Sequence, residues 1–288
     1  MITHMYGRAR GHVRESVHDH ARWLVWRGGW CGWVVSVGGV TPARLGRFLG
    51  APPVPSGSWE REAALASPIA LKAAYGRPPR DVAEELAARL RGREGIAAVR
   101  VQPNGFLLIV LTTPGEIVRE IVERDSAPLP DRADQLDGAA SGSPADQNDR
   151  ERAGRVPSPL WPDLPRTWDN PGFVVRFAHA RAAAVRRWAR DLGVPWEGFR
   201  PESLDDPRDR AVLRALAELP SRTASRDPAW TAYAEQLALA YHDAHERAPA
   251  TPMGDGPPTE VHTSRLWLAR AVQVVLVDIL GPALPDRL

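Results

Sequence analysis

Apolar positions along the last two-fifths of the chain recur at close to helical period, and residues 171–192, 206–220, 229–247 and 260–280 each read as one amphipathic helix. Gly- and Pro-rich connections such as Met253 to Pro258 separate them. Upstream the pattern is mixed. A first helix is expected over Thr41 to Leu49 and, after a proline-rich loop, a second over Trp59 to Tyr75. In RPPRDVAEELAARLRG the prolines stand at a helix entrance. Asp81 lies near the start, Val82, Leu86 and Leu90 keep helical spacing, and Gly92 follows the end. IAAVRV and FLLIVLT then flank Pro103-Asn104-Gly105, the pattern of a β-hairpin around a turn containing Asn-Gly. A helix near Pro114 to Arg124 completes the set. The expected fold class is an α+β N-terminal domain followed by an all-α helical bundle.

The boundaries follow from the same pattern. Residues 40–124 hold the α+β elements and residues 169–288 the bundle. Residues 125–168 are rich in Asp, Pro, Gly, Ser and Ala without an apolar period, as in a flexible linker. Residues 24–39, LVWRGGWCGWVVSVGG, are a poor membrane span: Arg27 interrupts them, and no clean apolar run approaches the ~20 residues a span requires. Residues 1–39 are expected to be disordered, or to precede a true translation start at Val40.

Composition refines this picture. The chain has 288 residues, 43% of them hydrophobic and 25% charged, with 28 prolines and 24 glycines, so it has room for two cores and a proline-rich connection. Cys31 is the only cysteine, which excludes an internal disulfide or a cysteine-based zinc site and fits a reducing cytoplasm. The formal charge of +2 is unevenly spread. Residues 1–39 carry five Arg against two acids, whereas residues 169–288 carry fifteen Arg against sixteen acids. Contact with nucleic acid must therefore come from local patches.

The opening of the bundle, DNPGFVVRFAHAR, resembles the anticodon-binding helical domain of arginyl-tRNA synthetases. In that family an Asn-Pro followed by tyrosines and an Ala-His-Ala-Arg run opens the domain; here stand Asn170, Pro171, Phe173, Phe177, Ala178, His179, Ala180 and Arg181. The later LALAYHDAHERAP and the terminal Leu-Pro-Asp-Arg-Leu occupy further family positions. SPIALKAAYGRPPRDVAEELAARL and PNGFLL are similar to the N-terminal additional domain of the same synthetases. The two regions together cover about 200 of the 288 residues. In a complete synthetase a Rossmann-type catalytic domain bearing His-x-Gly-His stands between them, and no such motif occurs here. The resemblance thus implies a non-catalytic tRNA-binding protein that uses no cofactor. Its partner would be tRNA, with arginine tRNA one candidate, and its anticodon-loop contact would lie on the C-terminal bundle. A flexible tether would let two heads hold the elbow and anticodon ends of one tRNA. The alternatives are a protein-interaction or regulatory module with vestigial RNA binding and an unidentified partner, or an accessory subunit for arginyl-tRNA aminoacylation in trans.

On a helical wheel Phe173, Phe177, Ala180, Ala184, Trp188 and Leu192 share one face, expected to pack inward. Arg176, His179, Arg186, Arg187 and Arg190 share roughly 100° of arc on the other side. Such a stripe suits phosphates, while exposed rings and guanidinium planes stack on unpaired bases. Arg181 lies close to the apolar face, where anchoring the bundle competes with contacting RNA. Family positions elsewhere add Asn104 and Phe106, for the tRNA elbow, and Leu288 in place of a terminal methionine. The family's tyrosines become Phe173, Val174 and Phe177, its glutamine becomes Arg176, and a frequent polar residue becomes Leu108. These departures imply weaker or less selective RNA binding. His242 and His245 stand three apart beside Asp243 and Glu246, but no third ligand is identifiable, so neither a metal site nor a catalytic residue is expected.

Overall fold

The computed structural model describes residues 39–126, 161–281 and 284–288. The expectations for residues 1–38 and for most of the segment 125–168 fall outside the described residues. Helix α1, Pro42–Leu49, starts where Thr41 Oγ1 accepts the Arg44 N–H and ends at Gly50, whose φ of 85° lets the chain leave in the left-handed conformation.

The helix expected over Trp59 to Tyr75 is not formed. Strand β1, Val54–Ser56, forms in the proline-rich loop before it, and strand β2, Ala63–Ser67, and a short helix α2, Ile69–Ala73, occupy the region itself. Alanine favours helix locally, but β2 finds a partner in the apolar strand β4, Leu107–Leu111, where Leu65 stands opposite Ile109. Both side chains are fully buried, so tertiary packing overrides propensity. Trp59, buried and at φ 66°, turns the chain into β2, and its indole donates to the Ala64 carbonyl at 2.9 Å. Helix α3, Pro79–Leu90, and strand β3, Ile96–Val101, match expectation. The antiparallel sheet has the order β1-β2-β4-β3. Helix α4, Glu116–Ser126, follows it.

The C-terminal region is helical: α5, Pro171–Asp191; a 3-10 turn, Pro201–Ser203; α6, Pro207–Ala217; α7, Leu219–Thr223; α8, Trp230–Arg247; and α9, Glu260–Leu280. The single helix anticipated over 206–220 breaks near Pro220, which has no N–H to continue the ladder. No helix among the described residues is long and apolar enough to cross a membrane.

The described residues form one unit, and the α+β and helical regions dock directly within it. Helix α9 packs on α4 as well as on α5, α6 and α8. The Arg214 Nε–H donates to the Gly57 carbonyl at 2.7 Å, Arg210 Nη1 to that of Trp59 at 3.4 Å, and Arg270 pairs with Asp125. Gly115 lies so close to the 3-10 turn that an added Cβ would sit 2.2 Å from the Pro201 carbonyl oxygen. Inside the bundle, the Asp209 carboxylate accepts from Arg265 Nε at 2.9 Å and joins α6 to α9.

Gly115→Ala should force the two regions apart and cost about 1–3 kcal/mol, read as a lower urea midpoint. Asp209 gives a pH signature. Burial, opposed by Arg265, pushes its carboxyl up to about 6, against ~3.9 in an unfolded chain. The folded state therefore holds a proton that the unfolded chain has released. The resulting stabilisation is complete below about pH 4 and is lost as pH rises through about 6. Between pH 4 and 7 the urea midpoint should fall more steeply for the native chain than for Asp209→Asn.

Candidate nucleic-acid interface

The start of α5 explains why Asn-Pro-Gly precedes the aromatic run. Asn170 Oδ1 accepts the N–H groups of Gly172 and Phe173 at 3.0 and 3.4 Å, capping the helix. Its amide also donates to the Pro165 carbonyl at 2.9 Å. Pro171 supplies a fixed φ at the first helical position. Gly172 admits the incoming chain, since a Cβ there would lie 2.3 Å from the Pro162 oxygen. Arg176 Nη1 donates to the carbonyls of Trp161 and Gly172 at 2.8 and 3.0 Å. The segment 161–170 is thus fastened along α5.

That fastening presents Trp168, half exposed at 50%, over a cluster of rings. Its ring centroid lies 4.4 Å from His242, 5.4 Å from Phe177 and 6.0 Å from Phe173. The two phenylalanines are 5.4 Å apart and half-buried. The Arg181 guanidinium stands 4.6 Å above the Phe177 ring and pairs with Glu246 of α8. Further along the same two helices Trp188, also half exposed, faces His245. Burial first, and then the Arg181 charge, hold the His242 and His245 imidazoles below the usual histidine pKa. Both rings are then neutral at neutral pH. His242 Nδ1 is buried and hydrogen-bonds to no described residue.

The structure turns α5 from the orientation its aromatic spacing suggests. Val174, Val175, Ala178, Ala182, Val185 and Ala189 face the core, while Trp188 and Leu192 are exposed. Small side chains let α5 pack closely on α8 and α9, and the bulky rings are displaced to the margin of that contact. His179 is accordingly not on an exposed basic face. It is 2% exposed, with Nδ1 3.1 Å from the Pro285 carbonyl oxygen, and burial lowers its pKa.

The stripe itself is only partly available. Arg176 holds the segment before the helix, and Arg187 Nη1 reaches the Asp286 carbonyl at 3.3 Å. Arg186 Nη1 lies 3.4 Å from Gln273 Oε1. Arg190 is exposed. Leu288 is exposed at the terminus. Asn104 and Phe106 belong to another surface, the β3–β4 turn. There Asn104 Oδ1 accepts the Phe106 N–H at 3.1 Å, and Phe106 is half-buried.

Sequence inspection missed Trp168, Trp188 and the aromatic use of His242 and His245. A signal for Trp168 was present: an aromatic two positions before the cap, with rings one turn apart at 173 and 177.

The aromatic and cationic margin lies on a helical bundle docked to a small antiparallel α+β module, and it is the latter that sequence comparison relates to synthetases. Residues 61–111 match the arginyl tRNA synthetase N terminal domain family. The arginine–tRNA ligase of Clavibacter sepedonicus is 40% identical over 131 residues, 43% of this chain and 24% of that protein. That of Kineococcus radiotolerans is 39% identical over 132 residues, with the same shares of 43% and 24%. The chain is therefore arginyl-tRNA synthetase-related, and it spans about a quarter of the length of these curated relatives, 24% in both. No solved structure matches it significantly.

Asn170→Ala removes both the cap and the tie to Pro165. Urea unfolding should show a loss of about 1–2 kcal/mol, whereas Asn170→Asp, which keeps the accepting oxygen, should recover part of it.

Proposed function

We propose that the chain is a non-catalytic tRNA-binding protein of the cytoplasm, derived from an arginyl-tRNA synthetase, that grips an anticodon loop at the margin of its C-terminal bundle. The observation that carries this reading is the cluster of Trp168, Phe173, Phe177 and His242 with Arg181 above Phe177. Unpaired bases stack on such surfaces at about 1–3 kcal/mol each. Arg181, Arg186 and Arg190 supply charge for the flanking phosphates, with arginine tRNA as the first candidate. The absence of His-x-Gly-His from the sequence supports a role without aminoacylation.

The internal commitments of Arg176, His179 and Arg187 favour modest affinity. A second reading, in which the fold serves protein interaction and RNA binding is vestigial, rests on those same contacts.

Filter binding with total tRNA should show association that weakens roughly 20- to 40-fold between 50 and 200 mM salt, as about three phosphate contacts require. Trp168→Ala should cut affinity by roughly tenfold at fixed salt, as loss of one stacked base implies. No binding at low salt would favour the interaction module, and aminoacylation by the chain alone would overturn the non-catalytic assignment.

A further inference from the structure

The most exposed large hydrophobic side chain among the described residues is in the other half of the molecule. Tyr75, 86% exposed, stands on the turn between α2 and α3. Its φ of 41° lies in the left-handed region that favours glycine, and Gly76 follows at φ 85°. A bulky residue in that conformation is uncommon, so the ring is kept at a position where local conformation disfavours it.

The turn beneath the ring is stiff. The Arg77 N–H donates to the Ala74 carbonyl at 2.8 Å. The Arg77 guanidinium grips both carboxylate oxygens of Glu85 on α3. Pro78 and Pro79 continue the chain, and Pro79 packs so tightly under Gly105 that a Cβ on that glycine would lie 2.9 Å from the proline side chain. The tip is thereby joined to the hairpin turn bearing Asn104. Lys72 and Arg80, on either side in sequence, are exposed, and neither forms an ion pair among the described residues.

We propose that Tyr75 is a stacking platform for an unpaired base of a folded RNA, with Lys72 and Arg80 on the adjoining phosphates. The inference rests on the tRNA-binding reading and adds a contact independent of the C-terminal cluster. A ring projecting from a narrow, preorganised glycine-proline turn between two cations fits a base and its backbone. A protein hot spot, by contrast, sits at the centre of a broad surface that excludes water.

The test uses the full chain and fluorescently labelled total tRNA in an anisotropy titration. Tyr75→Gly should weaken binding about 5- to 140-fold, the range expected for one stacked base. It should also raise the thermal midpoint, because glycine relieves the left-handed backbone. Tyr75→Phe should bind within about twofold of the native chain, and Tyr75→Leu, which keeps apolar bulk but has no π face, should lose affinity as glycine does. Native-like binding by Tyr75→Gly or Tyr75→Leu, while Trp168→Ala is impaired, would overturn this inference and leave the wider reading standing. No binding by the native chain would remove both.

Discussion

Helix α9 buries thirteen of its twenty-one residues, more than one face of a helix can hide against a single partner. It is enclosed by α5, α8 and α6 on the bundle side and by α4 on the sheet side. Its Val, Leu and Ile side chains contribute about 1.5–3 kcal/mol each on burial, so the surrounding helices are arranged by the need to cover it. Two buried polar side chains of the helix are matched. Ser264 exchanges hydrogen bonds with the Arg200 backbone at 2.9 and 3.2 Å, and Gln273 Oε1 accepts from Arg270 at 2.9 Å. Because α5 must lie against α9 through its small residues, its rings have no place in the core. The aromatic margin is a consequence of close helix packing.

The cations around that margin differ in what it costs to redirect them. Arg176 satisfies backbone carbonyls in a part-buried setting, and leaving such acceptors unpaired costs about 1–3 kcal/mol. Arg181 is held by Glu246, whose carboxylate is largely exposed. Exposed ion pairs are worth about 0–1 kcal/mol, so a phosphate can displace Glu246 at little cost while the guanidinium stays above Phe177. Charge along α5 therefore counts differently according to its partner. On the proposed reading, only the arginines with weak or solvated partners would belong to the binding surface.

Much of the fold was legible because its strongest signals are local. Thr41-Pro42 and Asn170-Pro171 mark helix starts, Pro103-Asn104-Gly105 marks a hairpin, and the long helices of the bundle have uninterrupted apolar periods. The strands at 54–56 and 63–67 were not legible, since AALAS becomes a strand only when β4 is present to pair with it. The orientation of α5 was lost for a related reason. Helical spacing groups Phe173, Phe177 and Trp188, but the partners at α8 and α9 decide whether bulk or closeness wins, and alanine and valine won. His179 illustrates the same limit: its burial depends on the chain end at Pro285, more than a hundred residues away in sequence.

Docking of the α+β module on α9 changes what the two candidate contacts can do together. On a mobile tether, each contact would adapt to its own target, and the gain would depend on effective concentration. Fixed through Gly115 against the 3-10 turn, Arg214 on Gly57 and Arg270 on Asp125, the modules cannot reorient without breaking buried packing. An RNA touching both must then match a set spacing. A wrong shape loses one contact entirely, and a right one meets surfaces whose ordering cost was met during folding. On the proposed tRNA-binding reading, rigid docking would convert two contacts without base-edge hydrogen bonding into selectivity for the overall shape of the RNA.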